Sequence, residues 1–211
     1  GKEAEWDKAY QHALVARQLN PQSIEALRVL VRASFNSRSV RTLDYANALF
    51  LNPKSTREDK LFVLSILQQA EDHVGFVRLY NLLPKETRQD RDFVILRVQF
   101  LIKRNAFDSA KEILEAEIGK KRDRQHLLLL ASLLVQPSAS PEELERGQRL
   151  IEELANVDNA DEIARTAFQL LGFIDPSRIQ PELLGDLGLR VSRTDSGTPA
   201  EYLAAASLAL A

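Results

Sequence analysis

Side chains that could act as catalysts or metal ligands are scattered through this sequence. The three histidines, His12, His73 and His126, have no histidine or cysteine neighbour at metal-ligand spacing, and the chain contains no cysteine. It has no Gly-x-Ser-x-Gly nucleophile motif, and its eight glycines form no phosphate-binding loop. A metal site assembled from distant histidines stays open, but surface or structural roles are favoured. We therefore expect a protein that is not an enzyme, with no catalytic residue, metal or cofactor.

The acidic residues are no better placed for chemistry. The segment 156–162, NVDNADE, lacks the alternating ligands and the central glycine of an EF-hand loop. We predict instead that it turns the chain and caps the next helix. Adjacent acids such as Glu142 and Glu143 fit a solvated helix surface better than general acid–base catalysis.

Two short basic clusters are the remaining candidates for binding chemistry. They comprise Arg28, Arg32, Arg38 and Arg41, and Lys120, Lys121, Arg122 and Arg124. A nucleic-acid surface would need such clusters to continue and to carry stacking aromatic residues, and these do not. The 28 basic and 30 acidic residues give a net charge of −2, without the basic excess of a nucleic-acid-binding protein. Nucleic-acid binding is thus the least favoured function. No apolar run approaches the roughly 18 residues of a membrane span, so no span is expected.

The elements that position these residues are predicted to be helices throughout. Apolar residues recur three and four apart, as in Leu27, Leu30 and Val31, and no segment shows the clean alternation of a strand. Helices are predicted at 3–19, 23–35, 39–51, 56–71, 72–83, 88–104, 106–118, 122–135, 141–156, 160–172, 180–192 and 199–211. The connections are mostly short, which favours antiparallel packing of neighbouring helices.

Capping boxes mark several of the helix starts. The spacing Ser/Thr-x-x-Glu is found at 55–58, 140–143 and 198–201, and Asn159 with Glu162 is a close variant. In such a box the first side chain accepts a bond from an early backbone N–H, and the acid accepts one from the cap residue. These signals strengthen the prediction of an all-α protein.

A repeat is suggested by the tripeptide Leu-Asn-Pro, which is found at 19–21 and again at 51–53. Pro21, Pro53 and Pro84 are 32 and 31 residues apart, and each closes a predicted helix. Arrays of helical hairpins have periods of this size. A helical bundle without repeats is the alternative interpretation.

The segment 5–21, EWDKAYQHALVARQLNP, resembles the second helix of a unit in the tetratricopeptide repeat family, with Ala9, Ala16 and Pro21 at the family's small and proline positions. Ala110 and Gly147 are small residues at comparable places in later helices. Ala13 departs from the pattern, since an aromatic residue is common there, and the first helices lack the family's Trp–Leu–Gly–Tyr series. The resemblance implies an all-α fold, a right-handed α–α superhelix of about six hairpins. The hairpins would cover 1–21, 22–53, 54–84, 85–119, 120–157 and 158–193, with a further helix starting in 198–211.

The resemblance also implies a binding face, because the first helices of tetratricopeptide units line a concave groove that holds a peptide or partner helix. Aligned from Pro21 and Ala110, the implied partner-binding residues are Glu25, Arg28, Arg32, Asn36, Asp92, Ile95, Gln99, Lys103, Gln125, Leu128, Ser132 and Gln136. Long polar side chains with a few apolar ones suit an extended polypeptide. The family's clamp for C-terminal carboxylates is not reproduced, and ordinary exposed helix positions are the alternative.

The implied function is a non-catalytic scaffold or adaptor that binds another protein and no small molecule. The alternative is a regulatory or substrate-presenting repeat domain of a larger enzyme or of a secretion or envelope assembly. Segment 5–21 resembles a second helix without its first, and the apolar helix predicted at 199–211 needs a covering surface. We therefore expect a fragment of a longer protein, with self-association through that last helix as one option. Cytosol and periplasm both fit the composition.

Overall fold

The computed structural model describes residues 2–155, 166–167 and 169–179. The regular elements of these residues are helices, which confirms the all-α prediction. The α-helices are α1 (Lys2–Leu19), α2 (Ile24–Asn36), α3 (Thr42–Leu51), α4 (Arg57–Gln69), α5 (His73–Leu82), α6 (Lys85–Arg88), α7 (Arg91–Lys103), α8 (Phe107–Lys120), α9 (Arg124–Leu134) and α10 (Pro141–Ala155), and 3₁₀ turns follow at Leu171–Phe173 and Pro176–Arg178. Across this part of the chain, no helix is long and apolar enough to cross a bilayer.

Several predictions fall on residues that the structure does not describe. They are the turn at 156–162, the capping signals at Asn159 and Thr198, the helices at 180–192 and 199–211, and most of the hairpin at 158–193. Self-association through 199–211 lies outside the described residues as well.

Several helix starts differ from the sequence-based prediction; the helix predicted at 39–51, for example, begins at Thr42 as α3. The capping box of α4 is formed by Thr56 and Asp59, one residue after the predicted pair. Ser55 lies before the cap residue, and its hydroxyl donates to the carbonyl of Leu49. The helix predicted at 88–104 is preceded by the short α6 and begins at Arg91. The box at 140–143 forms as predicted, with Glu143 N donating to Ser140 Oγ (3.2 Å) and Ser140 N to Glu143 Oε2 (2.9 Å).

The chain divides into two compact units, Gly1–Phe100 and Leu101–Ala211. In the first unit, α1 packs on α2, α2 on α3, α3 on α4 and α4 on α5. Its core includes Leu30, Leu64 and Leu79, all fully buried, and the rings of Phe76 and Phe100 stack with centroids 4.0 Å apart. From α1 to α5, each helix therefore packs on the helices before and after it along the chain.

In the second unit, α9 packs against both α8 and α10. The contact with α10 is close at Gly147, where an added Cβ would lie 2.7 Å from Val135 Cγ1 and 3.0 Å from Leu134 Cβ. Ala110 on α8 is fully buried. Both small residues thus lie at packed positions, as the sequence pattern suggested.

One type of turn recurs after α2, α4 and α7. The second residue beyond each helix, Arg38, Glu71 or Asn105, has a φ of 53–57°, and these positions are 33 and 34 residues apart. In each turn the next amide donates to a carbonyl five residues back, which is the wider bond of a Schellman motif. The three bonds are Ser39 N to Ser34 O (2.8 Å), Asp72 N to Leu67 O (2.9 Å) and Ala106 N to Leu101 O (2.9 Å). The local backbone therefore repeats with a period of about 34 residues.

Replacing Glu71 with glycine is expected to stabilise the protein. A non-glycine residue in the left-handed region is strained, and glycine relieves the strain at some cost in unfolded-chain entropy. We expect Glu71→Gly to raise the free energy of unfolding by about 0.5–1 kcal/mol in urea denaturation. The control Gln69→Gly, at the exposed last residue of α4, should lower it. Destabilisation by both variants would contradict this view of the turn.

Candidate binding surface

The predicted binding residues of α2 share one face of the helix, since they are three and four residues apart. Glu25, Arg32 and Asn36 are exposed, and the Arg28 side chain is 36% exposed. Glu25 accepts a bond from Ser23 Oγ (3.2 Å), and Asn36 Nδ2 donates to the carbonyl of Arg32 (2.8 Å). Three of these four residues are thus open to solvent.

The predicted residues of α7 differ in exposure. Asp92, Gln99 and Lys103 are exposed, whereas Ile95 is buried at 8% exposure. Ile95 lies within four consecutive buried residues, 93–96, so this part of α7 is covered on most of its circumference. In this structure Ile95 therefore contributes to packing and presents no side chain to solvent.

The predicted residues near α9 are half-buried. Leu128 packs against the apolar cluster of the second unit. Ser132 Oγ donates to the carbonyl of Leu129 (2.7 Å). Gln125 follows the N-cap of α9 and Gln136 lies beyond the helix end. This group is less accessible than the group on α2.

Arg28 is held by an acid from the next helix pair. Its Nε and Nη2 donate to the two carboxylate oxygens of Asp59 on α4, each at 2.8 Å. Asp59 is 6% exposed, and its Oδ2 also accepts from Thr56 N (2.9 Å). The Arg28 guanidinium, helped by the Thr56 donors, lowers the pKa of Asp59 despite its burial. This two-point bond fixes α2 against α4.

A second arginine, Arg57 at the start of α4, is bonded in a similar way to two acids at the start of α7. Arg57 Nη2 donates to Asp90 Oδ1 (2.5 Å) and to Asp92 Oδ2 (2.6 Å), and its guanidinium lies 5.7 Å from the ring centroid of Phe93. Bonding to Arg57 lowers the pKa of Asp90. Asp92, a predicted partner-binding residue, is thus already paired within the chain.

Side-chain contacts between residues 31 to 35 apart recur along the described chain, and each lies within one of the two units. They are Tyr10–Tyr45, Arg28–Asp59, Asn47–Arg78, Arg57–Asp90, Lys111–Glu143, Glu115–Arg146 and Arg122–Glu153. We call this set the one-period contacts. Their separations match the spacing of Pro21, Pro53 and Pro84.

The order of these contacts gives the direction of the helices. Arg28 contacts Asp59, and one turn later the Arg32 guanidinium lies 5.2 Å from the ring centroid of Phe62, so α2 and α4 run parallel. In the second unit, Lys111 contacts Glu143 (2.6 Å) and Glu115 contacts Arg146 (2.5 Å), so α8 and α10 are also parallel. In each of these two pairs the helices therefore lie side by side in the same direction, as successive hairpins would.

Two of the four cations in the second basic cluster are paired with acids. Lys120 Nζ donates to Glu117 Oε1 (2.7 Å) and Arg122 pairs with Glu153. Arg124 Nη2 donates to the neutral carbonyl of Leu154 (3.3 Å). The two ion pairs reduce the positive charge that this cluster could offer to a phosphate backbone.

An open cleft of about 490 Å³ lies among α8, α9 and α10. Its charged lining includes Arg122, Arg146 and Arg149, and each of these pairs with a glutamate. Within the described residues there is no group of three or more histidines, cysteines or acids that could hold a metal ion. The cleft therefore offers paired charges, and not the convergent unpaired polar groups that a catalytic site needs.

The three histidines lie in different surroundings. His12 is exposed, and the ring of His73 packs edge-on against Phe100 with centroids 5.7 Å apart. His126 on α9 is 5% exposed, and both of its ring nitrogens are buried without a hydrogen-bond partner among the described residues.

Comparisons of the chain with protein-family models, curated proteins and solved structures give no match. The tetratricopeptide resemblance therefore stays an interpretation of the sequence.

Acid should weaken the contact between α2 and α4. Because the pKa of Asp59 is lower in the fold than in the unfolded chain, its carboxylate stabilises the protein above the unfolded pKa of about 3.9. That stabilisation is lost as the pH falls further, through the folded pKa. We expect Arg28→Ala and Asp59→Asn to flatten the fall of the urea midpoint below about pH 4. Asp44→Asn, an exposed control on α3, should keep the wild-type profile, and an equal fall in all variants would refute the assignment.

Replacing His126 with phenylalanine should stabilise the protein. A buried polar group without a partner costs free energy that an apolar ring of similar shape does not. We expect His126→Phe to raise the free energy of unfolding by about 1 kcal/mol, and His12→Phe, at an exposed site, to change it little. A marked loss of stability in His126→Phe would mean that the imidazole makes a bond that the structure does not contain.

Proposed function

We propose that this chain is a non-catalytic interaction module, a tetratricopeptide-like α–α superhelix that binds a segment of another protein. The one-period contacts are the observation that carries the proposal. They join helices that are one period apart, and an array of such helices would present its exposed residues in regular rows. Rows of this kind suit an elongated partner better than a compact small molecule.

The proposed binding face in the first unit lies on α2, α4 and α7, which are equivalent helices. Its centre is the pair formed by Arg32, which is exposed, and Phe62, which is half-buried. Asn36 and Gln99 extend the face as exposed polar residues. Arginine and aromatic residues are enriched among those that dominate binding energy, so Arg32 and Phe62 form its anchor.

Two predicted residues have internal roles that make them unsuitable as probes of this face. Arg28→Ala would leave the buried carboxylate of Asp59 without its guanidinium, which is destabilising in itself. Asp92 is bonded to Arg57. If substitution of Arg28 or Asp92 abolished binding, the cause could be either a changed fold or a changed surface. Substitutions of Arg32 and Asn36 avoid this ambiguity, because neither residue is bonded to a buried charge among the described residues.

The proposal is tested by affinity capture from a lysate of the source organism. Arg32→Glu combined with Asn36→Ala should reduce recovery of at least one specific protein by about tenfold or more, because reversing one central charge costs several kcal/mol in an interface. Quantitative mass spectrometry of the captured proteins gives the readout.

The matched control is Arg97→Glu. Arg97 is also exposed, and its guanidinium lies 5.7 Å from the ring centroid of Tyr80 on α5, so the two variants remove the same kind of cation–ring contact on different sides of the array. Arg97→Glu should retain the partner. Equal recovery by both variants, each with an unchanged thermal melt, would contradict binding on the α2–α4–α7 face.

A further inference from the structure

Three exposed leucines stand at equivalent positions in the first unit. Leu19, Leu51 and Leu82 are the last residues of α1, α3 and α5, and they are 84%, 60% and 59% exposed. They are 32 and 31 residues apart, and a proline follows each after one further residue. We call them the leucine row.

The fold accounts for the other residues of the Leu-Asn-Pro motif. Asn20 Oδ1 accepts from Gln22 N (3.2 Å), and Asn52 Oδ1 accepts from Lys54 N (2.9 Å). These side-chain turns lead the chain past the proline, which cannot continue the helix. The leucine makes no comparable contribution, because its side chain is mostly in water. A recurring, exposed large apolar residue therefore needs a different explanation.

The three helices that end in these leucines are joined in order, α1 to α3 and α3 to α5. Tyr10 and Tyr45 join α1 to α3 through their hydroxyls (3.1 Å), and Arg78 Nη2 joins α5 to Asn47 on α3 (2.6 Å). With about 10 Å for each step, the usual distance between the axes of neighbouring helices, the three helix ends would span about 20 Å. Val15, which is 54% exposed, lies one turn before Leu19 and widens the row on α1.

The surroundings of the row are basic. The equivalent stretches 15–22, 47–54 and 78–85 contain no acid and four basic residues, although the chain has a net charge of −2. These residues are Arg17, Lys54, Arg78 and Lys85. Lys54 and Lys85 are exposed and form no ion pair within the described residues, and the Asn47 amide bonded to Arg78 is neutral. Cations are favourable at helix C-termini whether or not a partner binds, so the cations alone do not define the site. The leucines and the absence of acids from these stretches define it together.

We propose that the leucine row binds an acidic amphipathic helix of another protein. Apolar residues seven apart in a helix are separated by about 10.5 Å, so positions i, i+7 and i+14 match the three leucines. A helix satisfies its own backbone hydrogen bonds, and acids beside its apolar stripe would face the four cations. This surface is formed by α1, α3 and α5 and is separate from the α2–α4–α7 face.

The test uses a defined probe with the full chain. It is a fluorescein-labelled helical peptide with leucine at every seventh position and glutamate on both sides of that stripe, and its counterpart has lysine in place of glutamate. Fluorescence anisotropy should show that the acidic peptide binds at least about tenfold more tightly than the basic one. The variant Leu19→Ser/Leu51→Ser/Leu82→Ser should bind it about tenfold more weakly, and its thermal melt should not change because the three side chains are exposed.

Charge reversal provides an independent arm that does not touch the leucines. Lys54→Glu/Lys85→Glu should shift the preference towards the basic peptide. The control Val40→Ser, at a 95% exposed residue outside the row, should bind like the unmodified chain.

Three results would overturn the proposal. They are equal binding of the acidic and basic peptides, no effect of the leucine substitutions, and a dimer in sedimentation velocity that those substitutions abolish. The last would assign the row to contact between two copies of this chain.

Discussion

Most of the described helices have an apolar side that is covered by neighbouring helices. In the first unit, α2 buries Leu27, Leu30 and Val31 between α1 and α3, and a helix pair by itself would leave such a surface in water. Apolar packing alone, however, would allow one helix to slide along another. The one-period contacts resist sliding because they require particular atoms to meet, as when Arg28 bonds both oxygens of Asp59.

This use of charge limits which residues remain for a partner. In the first unit, Arg28, Arg57 and Asp92 are bonded to residues of other helices. In the second unit, the Lys111–Glu143 pair joins α8 to α10. Arg32 remains exposed above an aromatic ring. The proposed binding face thus uses residues that remain exposed after the contacts between helices one period apart are made, and the leucine row lies on α1, α3 and α5.

The helices could be predicted from the sequence because apolar spacing and capping residues are local signals. The box at 140–143 needs only two residues three apart, and it forms as expected. The cap lies at Thr56 and not at Ser55, because Thr56 and Asp59 form the capping box of α4. The left-handed turns were hidden because none of the three positions is glycine. Among the predicted binding residues, the exposure of Arg32 could be predicted from its position on the helix face. The pairing of Arg28 could not be predicted locally, because its partner lies 31 residues away in the sequence. Opposite charges one period apart were the available signal.

The central claim is that equivalent helices lie side by side, one period apart, and carbodiimide cross-linking of the native chain tests it most directly. This reagent joins an amine to a carboxylate only when they are already in contact, as Lys111 Nζ and Glu143 Oε1 are at 2.6 Å. Mass spectrometry of the monomeric product should identify an amide bond between Lys111 and Glu143. A product in which Lys111 is linked to Asp108, three residues earlier on the same helix, and never to Glu143 would contradict the stacking of α8 and α10.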